Sequence, residues 1–123
     1  MQVGPHIMLR GGVVPDAVAL WQRAFATLTA TAPDDPMEVW RIKIGGQEFT
    51  VFDSPAVHDF GPTPAWSFMV DVDSAAEVQD IADILAKDGS VLMPLGSYDF
   101  AECFAWVADR FGISWQLRCG PRP

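Results

Sequence analysis

The predicted elements of this chain occur twice in the same order, and this repetition constrains the fold more than any other feature. Each half contains a short strand, an amphipathic helix and a run of strands joined by tight turns. Halves of roughly 60 residues are too long for solenoid repeats. The sequence therefore predicts an α+β fold in a single domain, residues 1–123, built from two βαβββ modules at about residues 1–57 and 58–119.

The first half begins with the short apolar stretch PHIML, which predicts a strand. A helix is expected to open at Pro15, and its apolar stripe consists of four residues at helical spacing: Val18, Trp21, Phe25 and Leu28. Prolines at positions 33 and 36 should end it. EVWRIKI and QEFTVFD then predict two strands joined by a hairpin turn at Gly45 and Gly46, and SPAVHDFGPTP predicts a connector between the modules.

The second half begins with the predicted strand WSFMVDV, and Ser74 with Glu77 forms a capping box at the start of its helix. Gly89 is expected to cap the end of that helix. VLMPLG, the stretch around Cys103 to Val107, and ISWQL predict three further strands. Between the last two, we expect a turn with a surface ion pair of Asp109 and Arg110 and a positive φ at Gly112.

Charge and composition exclude several classes of partner. The formal net charge is −8, and the eight Lys and Arg residues are scattered, so nucleic acid is not an expected partner. No apolar run is long enough to span a membrane, and the N-terminal segment lacks the features of a signal peptide, so a cytoplasmic location is expected. Cys103 and Cys119 have no metal-binding spacing; they could lie on neighbouring strands, but we expect reduced thiols there.

Two long motifs resemble a known family. HDFGPTPAWSFMVDVDSAAEVQDI and FAWVADRFGISWQL, which contain S-F-x-V-D-x-D and D-x-F-G-x-S-W-Q, are similar to the PhnB-like branch of the vicinal oxygen chelate superfamily. Glyoxalase I, bleomycin-resistance proteins and extradiol dioxygenases belong to this superfamily. The resemblance implies a glyoxalase-like half-barrel cup and a homodimer. Some members are described as methyltransferases, but this sequence has no G-x-G-x-x-G loop for a nucleotide cofactor.

Metal-dependent relatives take ligands from the first and last strands of each module. The resemblance places His6 at the first ligand position and Gln116 where a glutamate would stand. At the other two positions it places Thr50 instead of glutamate, and Ala65 instead of histidine with Ser67 as the nearest polar residue. Hydroxyl and amide groups are weak ligands for divalent metals, and alanine cannot coordinate. We therefore predict no metal site and no cofactor.

The remaining polar side chains predict a small-molecule site instead. Apolar walls with a few orienting polar groups are typical of such pockets. The predicted ligand-binding residues are His6, Ser67, Met69, Trp106 and Gln116. Alternative interpretations are a metal-dependent lyase, isomerase or dioxygenase of the glyoxalase type, and a non-enzymatic drug-sequestering protein. Whether the chain is an enzyme stays open, and no Ser-His-Asp triad is expected, since Ser54 near His58 and Asp59 lies in no motif.

Overall fold

The computed structural model describes residues 1–56 and 58–121 and contains two modules of identical element order. The chain divides into two compact units, one from Met1 to Gly61 and one from Pro62 onward. Each unit holds one helix and one four-stranded sheet. The prediction of an α+β fold with two βαβββ modules is therefore confirmed.

The first unit forms a mixed sheet with one helix on it. Its elements are β1 (His6–Arg10), α1 (Val14–Ala24), β2 (Thr29–Thr31), β3 (Trp40–Ile44) and β4 (Gln47–Ser54). The strand order is β1-β4-β3-β2, with β1 parallel to β4 and the other neighbours antiparallel. The tight turn between β3 and β4 was predicted from its two glycines, and both have positive φ angles.

Helix α1 ends earlier than the apolar stripe predicts. Phe25 has extended backbone angles, and Thr29–Thr31 pairs with β3 as a strand that the sequence analysis missed. Phe25 and Leu28 are nevertheless buried. The apolar spacing therefore identified the buried residues correctly, but these two do not lie in the helix. The threonine-rich stretch prefers extended structure, and an available strand edge decides the outcome.

One face of the first sheet is covered by α1 and the other is free of helix. Trp21 of α1 lies 6.2 Å from Phe49 of β4, measured between ring centroids, and both side chains are buried. The carboxylate of Asp53 accepts hydrogen bonds from the backbone N–H groups of Gly12 at 3.0 Å and Val14 at 3.1 Å. Asp53 therefore anchors the start of α1, which has no capping side chain of its own.

The second unit repeats this topology. Its elements are β5 (Ser67–Asp71), α2 (Ala75–Ala86), β6 (Ser90–Tyr98), β7 (Ala101–Ala108) and β8 (Ser114–Cys119). The strand order is β5-β8-β7-β6, and β5 is parallel to β8. The face covered by α2 buries large side chains such as Trp115 and Leu117. Side chains on the other face alternate with these along each strand.

The two ends of α2 illustrate one correct and one wrong prediction. The hydroxyl of Ser74 accepts a hydrogen bond from the Glu77 N–H at 3.2 Å, which confirms the serine half of the predicted capping box. At the other end, the residue with positive φ is Asp88, not Gly89. Gly89 is needed for another reason, because a Cβ there would lie 2.2 Å from the carbonyl oxygen of Ala108.

The turn between β7 and β8 is organised by a buried carboxylate. Asp109 is only 3% exposed, so the predicted surface ion pair is wrong. Its oxygens accept hydrogen bonds at 3.0 Å from the N–H groups of Phe111 and Ile113 and from the indole of Trp115. Gly112 has a φ of 91°, as predicted.

A disulfide joins the two central strands of this sheet. Cys103 and Cys119 are direct partners on β7 and β8, with their Cα atoms 5.1 Å apart, and they are bonded to each other. The expectation of reduced thiols is therefore wrong, because strand pairing brings together two residues that are 16 apart in sequence. Disulfides persist mainly in oxidising compartments, so this pair gives no support to the predicted cytoplasmic location.

No helix within the described part of the chain combines the length and apolar character that a membrane crossing requires. Helices α1 and α2 have 11 and 12 residues, whereas a membrane-spanning helix needs about 20.

Candidate ligand-binding site

The helix-free face of the first sheet carries the predicted site residue His6. Its Nδ1 atom lies 2.6 Å from the hydroxyl of Thr50, the residue directly opposite it on β4. Thr50 in turn stands opposite Arg41 on β3, and Arg41 stands opposite Thr31 on β2. A polar row therefore crosses all four strands of this face.

The helix-free face of the second sheet carries a compact network of neutral polar groups. The hydroxyls of Ser67 and Ser114 lie 2.6 Å apart. The indole N–H of Trp106 donates to Ser114 at 2.8 Å, and the side-chain amide of Gln116 donates to Ser67 at 3.2 Å. These contacts connect β5, β7 and β8, so the strand pairing holds all four side chains in fixed positions.

The network leaves hydrogen-bonding groups without a described partner. Only one of the two serine hydroxyl hydrogens is used in the bond between Ser67 and Ser114. Ser114 is 1% exposed and Ser67 is half-buried. If the Ser114 hydroxyl donates to Ser67, the Ser67 hydroxyl hydrogen remains available, and it lies on the more accessible of the two oxygens. The carbonyl oxygen of Gln116 is a second available group, because only the amide nitrogen is bonded.

Apolar side chains flank this network. Met69 is the direct partner of Gln116 on β5 and is 47% exposed. On the other side of Gln116, its partner on β7 is the half-buried Trp106. The structure thus brings together four of the five predicted site residues, and His6 lies in the first unit beside Thr50. Ligand contact at these residues stays a prediction.

Ser114 is not among the residues that the sequence analysis predicted for the site, although strand alternation places it on the same face as Gln116. Ser114 is the residue that receives the Trp106 indole and contacts Ser67. Strand alternation was the available signal, since residues two apart share a face. Alternation along one strand does not predict which strands are neighbours, and it is the pairing of β8 with β5 and β7 that brings Ser114 to Ser67 and Trp106.

The residues at the metal-ligand positions do not fit a divalent metal. Ser67, not Ala65, occupies the position in β5 that His6 occupies in β1, since these residues begin their strands opposite Ser114 and Thr50. Among residues 1–56 and 58–121 there is no group of three or more His, Cys, Asp or Glu side chains able to hold a metal ion. Tight zinc, nickel and iron sites need such donors.

The last residue of β4, Ser54, and His58 in the connector form a pair that the sequence did not predict. The Ser54 hydroxyl lies 3.2 Å from Nε2 of His58, and it also accepts a hydrogen bond from the Ala56 N–H at 3.2 Å. Ser54 is 4% exposed, and the His58 ring stacks on Phe60. These contacts close the loop after β4, and burial of the hydroxyl argues against its use as a nucleophile.

Comparison with known proteins identifies the family. The family model described as 3-demethylubiquinone-9 3-methyltransferase matches residues 16–118. A structure from Bacillus cereus, described as a protein of that name and as PhnB protein, is 30% identical. It covers 98% of this chain and 100% of its own, with a TM-score of 0.85. The chain therefore belongs to this PhnB-like family.

Two further structures extend the comparison. A protein from Pseudomonas aeruginosa is 28% identical, with 97% of each chain covered and a TM-score of 0.79. A glyoxalase-related enzyme from Fulvimarina pelagi is 18% identical, covers 98% of this chain and 89% of its own, and has a TM-score of 0.68. The second likeness shows a glyoxalase-like fold alone. No curated protein sequence matches this chain.

Proposed function

We propose that this PhnB-like protein binds a small organic molecule through His6, Ser67, Met69, Trp106 and Gln116, without a tightly bound metal or a cofactor. The observation that carries the proposal is the network of Ser67, Ser114, Trp106 and Gln116. It offers one hydroxyl donor and one amide acceptor next to exposed apolar surface. Such a combination orients a ligand that has both polar and apolar parts.

The fold supports binding over methyl transfer, although the family model has a methyltransferase description. Methyltransferases of the Rossmann type hold their nucleotide cofactor on a doubly wound, mostly parallel sheet with a glycine-rich loop. Here each sheet has one parallel pair and two antiparallel pairs, and the sequence lacks that loop. The description therefore transfers to this chain as a family label only.

The proposal also covers the assembly state, the location and the partners of the protein. The family resemblance favours a homodimer, and the charge and apolar runs of the sequence favour a cytoplasmic location with no nucleic acid or membrane partner. Light scattering of the purified protein measures the assembly state: twice the 13.5 kDa chain mass is the expected result. A monomer at micromolar concentration would contradict that part of the proposal.

A ligand screen tests the site itself. Metabolites are added to the purified chain, hits are identified by thermal shift, and their affinities are measured for the wild type, Ser67→Ala and Gln116→Ala. We expect each variant to bind the ligand about tenfold more weakly than the wild type. Each change removes a half-buried polar group that is proposed to form a hydrogen bond with the ligand. Gln79→Ala is the matched control, since Gln79 is an exposed glutamine of α2.

Metal dependence is tested on the same hits. Affinities are measured after chelation and after addition of zinc or nickel ions. Unchanged affinities support the proposal, whereas binding that requires the ion would favour a metal-dependent glyoxalase-type enzyme.

In the test with the site variants, equal affinities of the wild type, Ser67→Ala and Gln116→Ala would reject the site.

A further inference from the structure

The first unit contains a cavity whose lining includes none of the five proposed ligand-binding residues, although Thr50 in that lining contacts one of them, His6. Its volume is about 670 Å³, within the range of small-molecule sites. Side chains from three strands and the segment before β1 line it, and among them are Thr29, Arg41, Lys43, Glu48 and Thr50. The Pro5 carbonyl accepts a hydrogen bond from the Thr50 N–H, which holds that segment beside β4.

The charged groups of this cavity stand on one face of the sheet. Arg41 and Lys43 are two residues apart on β3, so their side chains leave the same face about 7 Å apart. Both are exposed, and Ile42 between them is buried on the α1 side. Two of the eight basic residues of a chain with net charge −8 are thus adjacent in one cavity.

The residues directly opposite Arg41 supply hydroxyl donors and no carboxylate. Its direct partners are Thr31 on β2 and Thr50 on β4, and both carry hydroxyls. Lys43 differs, because Glu48 stands directly opposite it. Within the described residues, no ion pair of Arg41 or Lys43 falls inside 4 Å, and the one such pair is Arg118 with Asp71.

We propose that this cavity binds the anionic group, a phosphate, phosphonate or carboxylate, of a small molecule, with Arg41 as its principal contact. The guanidinium presents several N–H donors in a fixed fork that matches oxyanions. The threonine hydroxyls add neutral donors beside it, and Lys43 adds a second positive charge. Glu48 limits the contribution of Lys43 by opposing it. The site lies within the first unit and does not depend on the network of Ser67 and Gln116.

Titration of the ¹⁵N-labelled full-length chain with inorganic phosphate, and separately with acetate, tests this proposal by NMR. Sodium chloride at equal ionic strength serves as the reference. We expect saturable shifts at the backbone amides of β2, β3 and β4 for at least one of the two anions. The relative affinity for phosphate and acetate distinguishes a phosphate-type from a carboxylate-type ligand. Shifts that chloride reproduces equally would overturn the proposal.

Charge variants locate the site. Arg41→Gln should weaken binding about tenfold, and Lys43→Gln should weaken it less because Glu48 already offsets that charge. Glu48→Gln should tighten binding by about twofold, since a negative charge leaves the cavity. Arg23→Gln, which removes the same charge from the exposed end of α1, should have no effect. Equal losses in Arg41→Gln and Arg23→Gln would show an unspecific charge effect and reject the site.

Two measurements keep this test separate from the proposed function and from misfolding. Gln116→Ala should leave the phosphate and acetate titrations unchanged. Circular dichroism and thermal unfolding should match the wild type for each charge variant, because all the altered side chains are exposed. If Gln116→Ala removes anion binding, the independent site in the first unit is rejected.

Discussion

The two sheets share one topology but are fixed in different ways. In the first unit, the turn between β3 and β4 consists of Gly45 and Gly46, both with positive φ and with open space around them. In the second unit, the turn between β7 and β8 is held by the buried Asp109, and its strands are joined by a disulfide. Backbone freedom alone specifies the first turn, whereas side-chain contacts specify the second.

The helix-free faces differ in the same sense. The first carries exposed charges at Arg41, Lys43 and Glu48, and the second carries neutral groups already bonded to each other. Arg41, which has hydroxyls and no carboxylate directly opposite it, suits a ligand that supplies a negative charge. A bonded neutral network suits a ligand that needs orientation. One fold therefore presents two surfaces of different chemistry.

The largest effect is expected for Asp109→Ala. Removing this carboxylate leaves two backbone N–H groups and the Trp115 indole without their acceptor in a buried turn. We expect a loss of about 3 kcal/mol or more in the free energy of unfolding. Urea unfolding measures it, and Asp99→Ala, an exposed acid in the turn between β6 and β7, is the control. Equal values for the two variants would show that Asp109 does not organise the turn.

The disulfide is expected to rank next. Its 16-residue separation predicts a loss of about 3 kcal/mol on reduction, if the unfolded chain is the state it constrains. Urea unfolding with and without reductant measures the loss, and the double variant Cys103→Ala, Cys119→Ala should not respond to reductant. Two titratable thiols in native protein isolated without reductant would contradict the disulfide and favour the cytoplasmic prediction.

A pair of glycine substitutions sharpens the comparison of the two units. Gly89→Ala should cost about 2 kcal/mol or more, because the new Cβ overlaps the Ala108 carbonyl. Gly46→Ala should cost about 1 kcal/mol, since only its φ of 82° opposes a side chain. Thermal unfolding of both variants provides the measurement. A larger loss of stability for Gly46→Ala than for Gly89→Ala would contradict the prediction that the close contact at Gly89 costs more than the positive φ at Gly46.

The smallest effect is expected at the ion pair of Arg118 and Asp71, whose side chains are each 24% exposed. Surface pairs of this kind contribute less than about 1 kcal/mol. Arg118→Met, Asp71→Asn and the double variant form a cycle that isolates the pair in urea unfolding. A coupling energy between Arg118 and Asp71 above about 2 kcal/mol would contradict this prediction. It would mean that solvent screens the ion pair less than its exposure implies.

Much of the fold was predictable because it depends on residues close together in sequence. Hydrophobic spacing gave the repeated element order, and Ser74 caps a helix that begins one residue later. The predicted hairpin glycines adopt the expected backbone angles. Several errors occurred where a partner is distant in sequence, although the contacts of Asp109 were missed within its own turn. The end of α1 depends on β2 pairing with β3, and the role of Gly89 depends on the backbone of Ala108.

The candidate site divides along the same line. Strand alternation indicated that Gln116 shares a face with Ser114, and the family motifs singled out His6, Ser67 and Gln116. Only the tertiary structure decided that Ser67 meets Ser114 and that His6 meets Thr50, because parallel strand pairing joins residues more than 40 positions apart. It also placed Arg41 beside two threonines. By itself, then, the sequence determined the elements other than β2, and their faces, since these follow from neighbouring residues. The partners of each polar group were decided by strand register, which no local pattern contains.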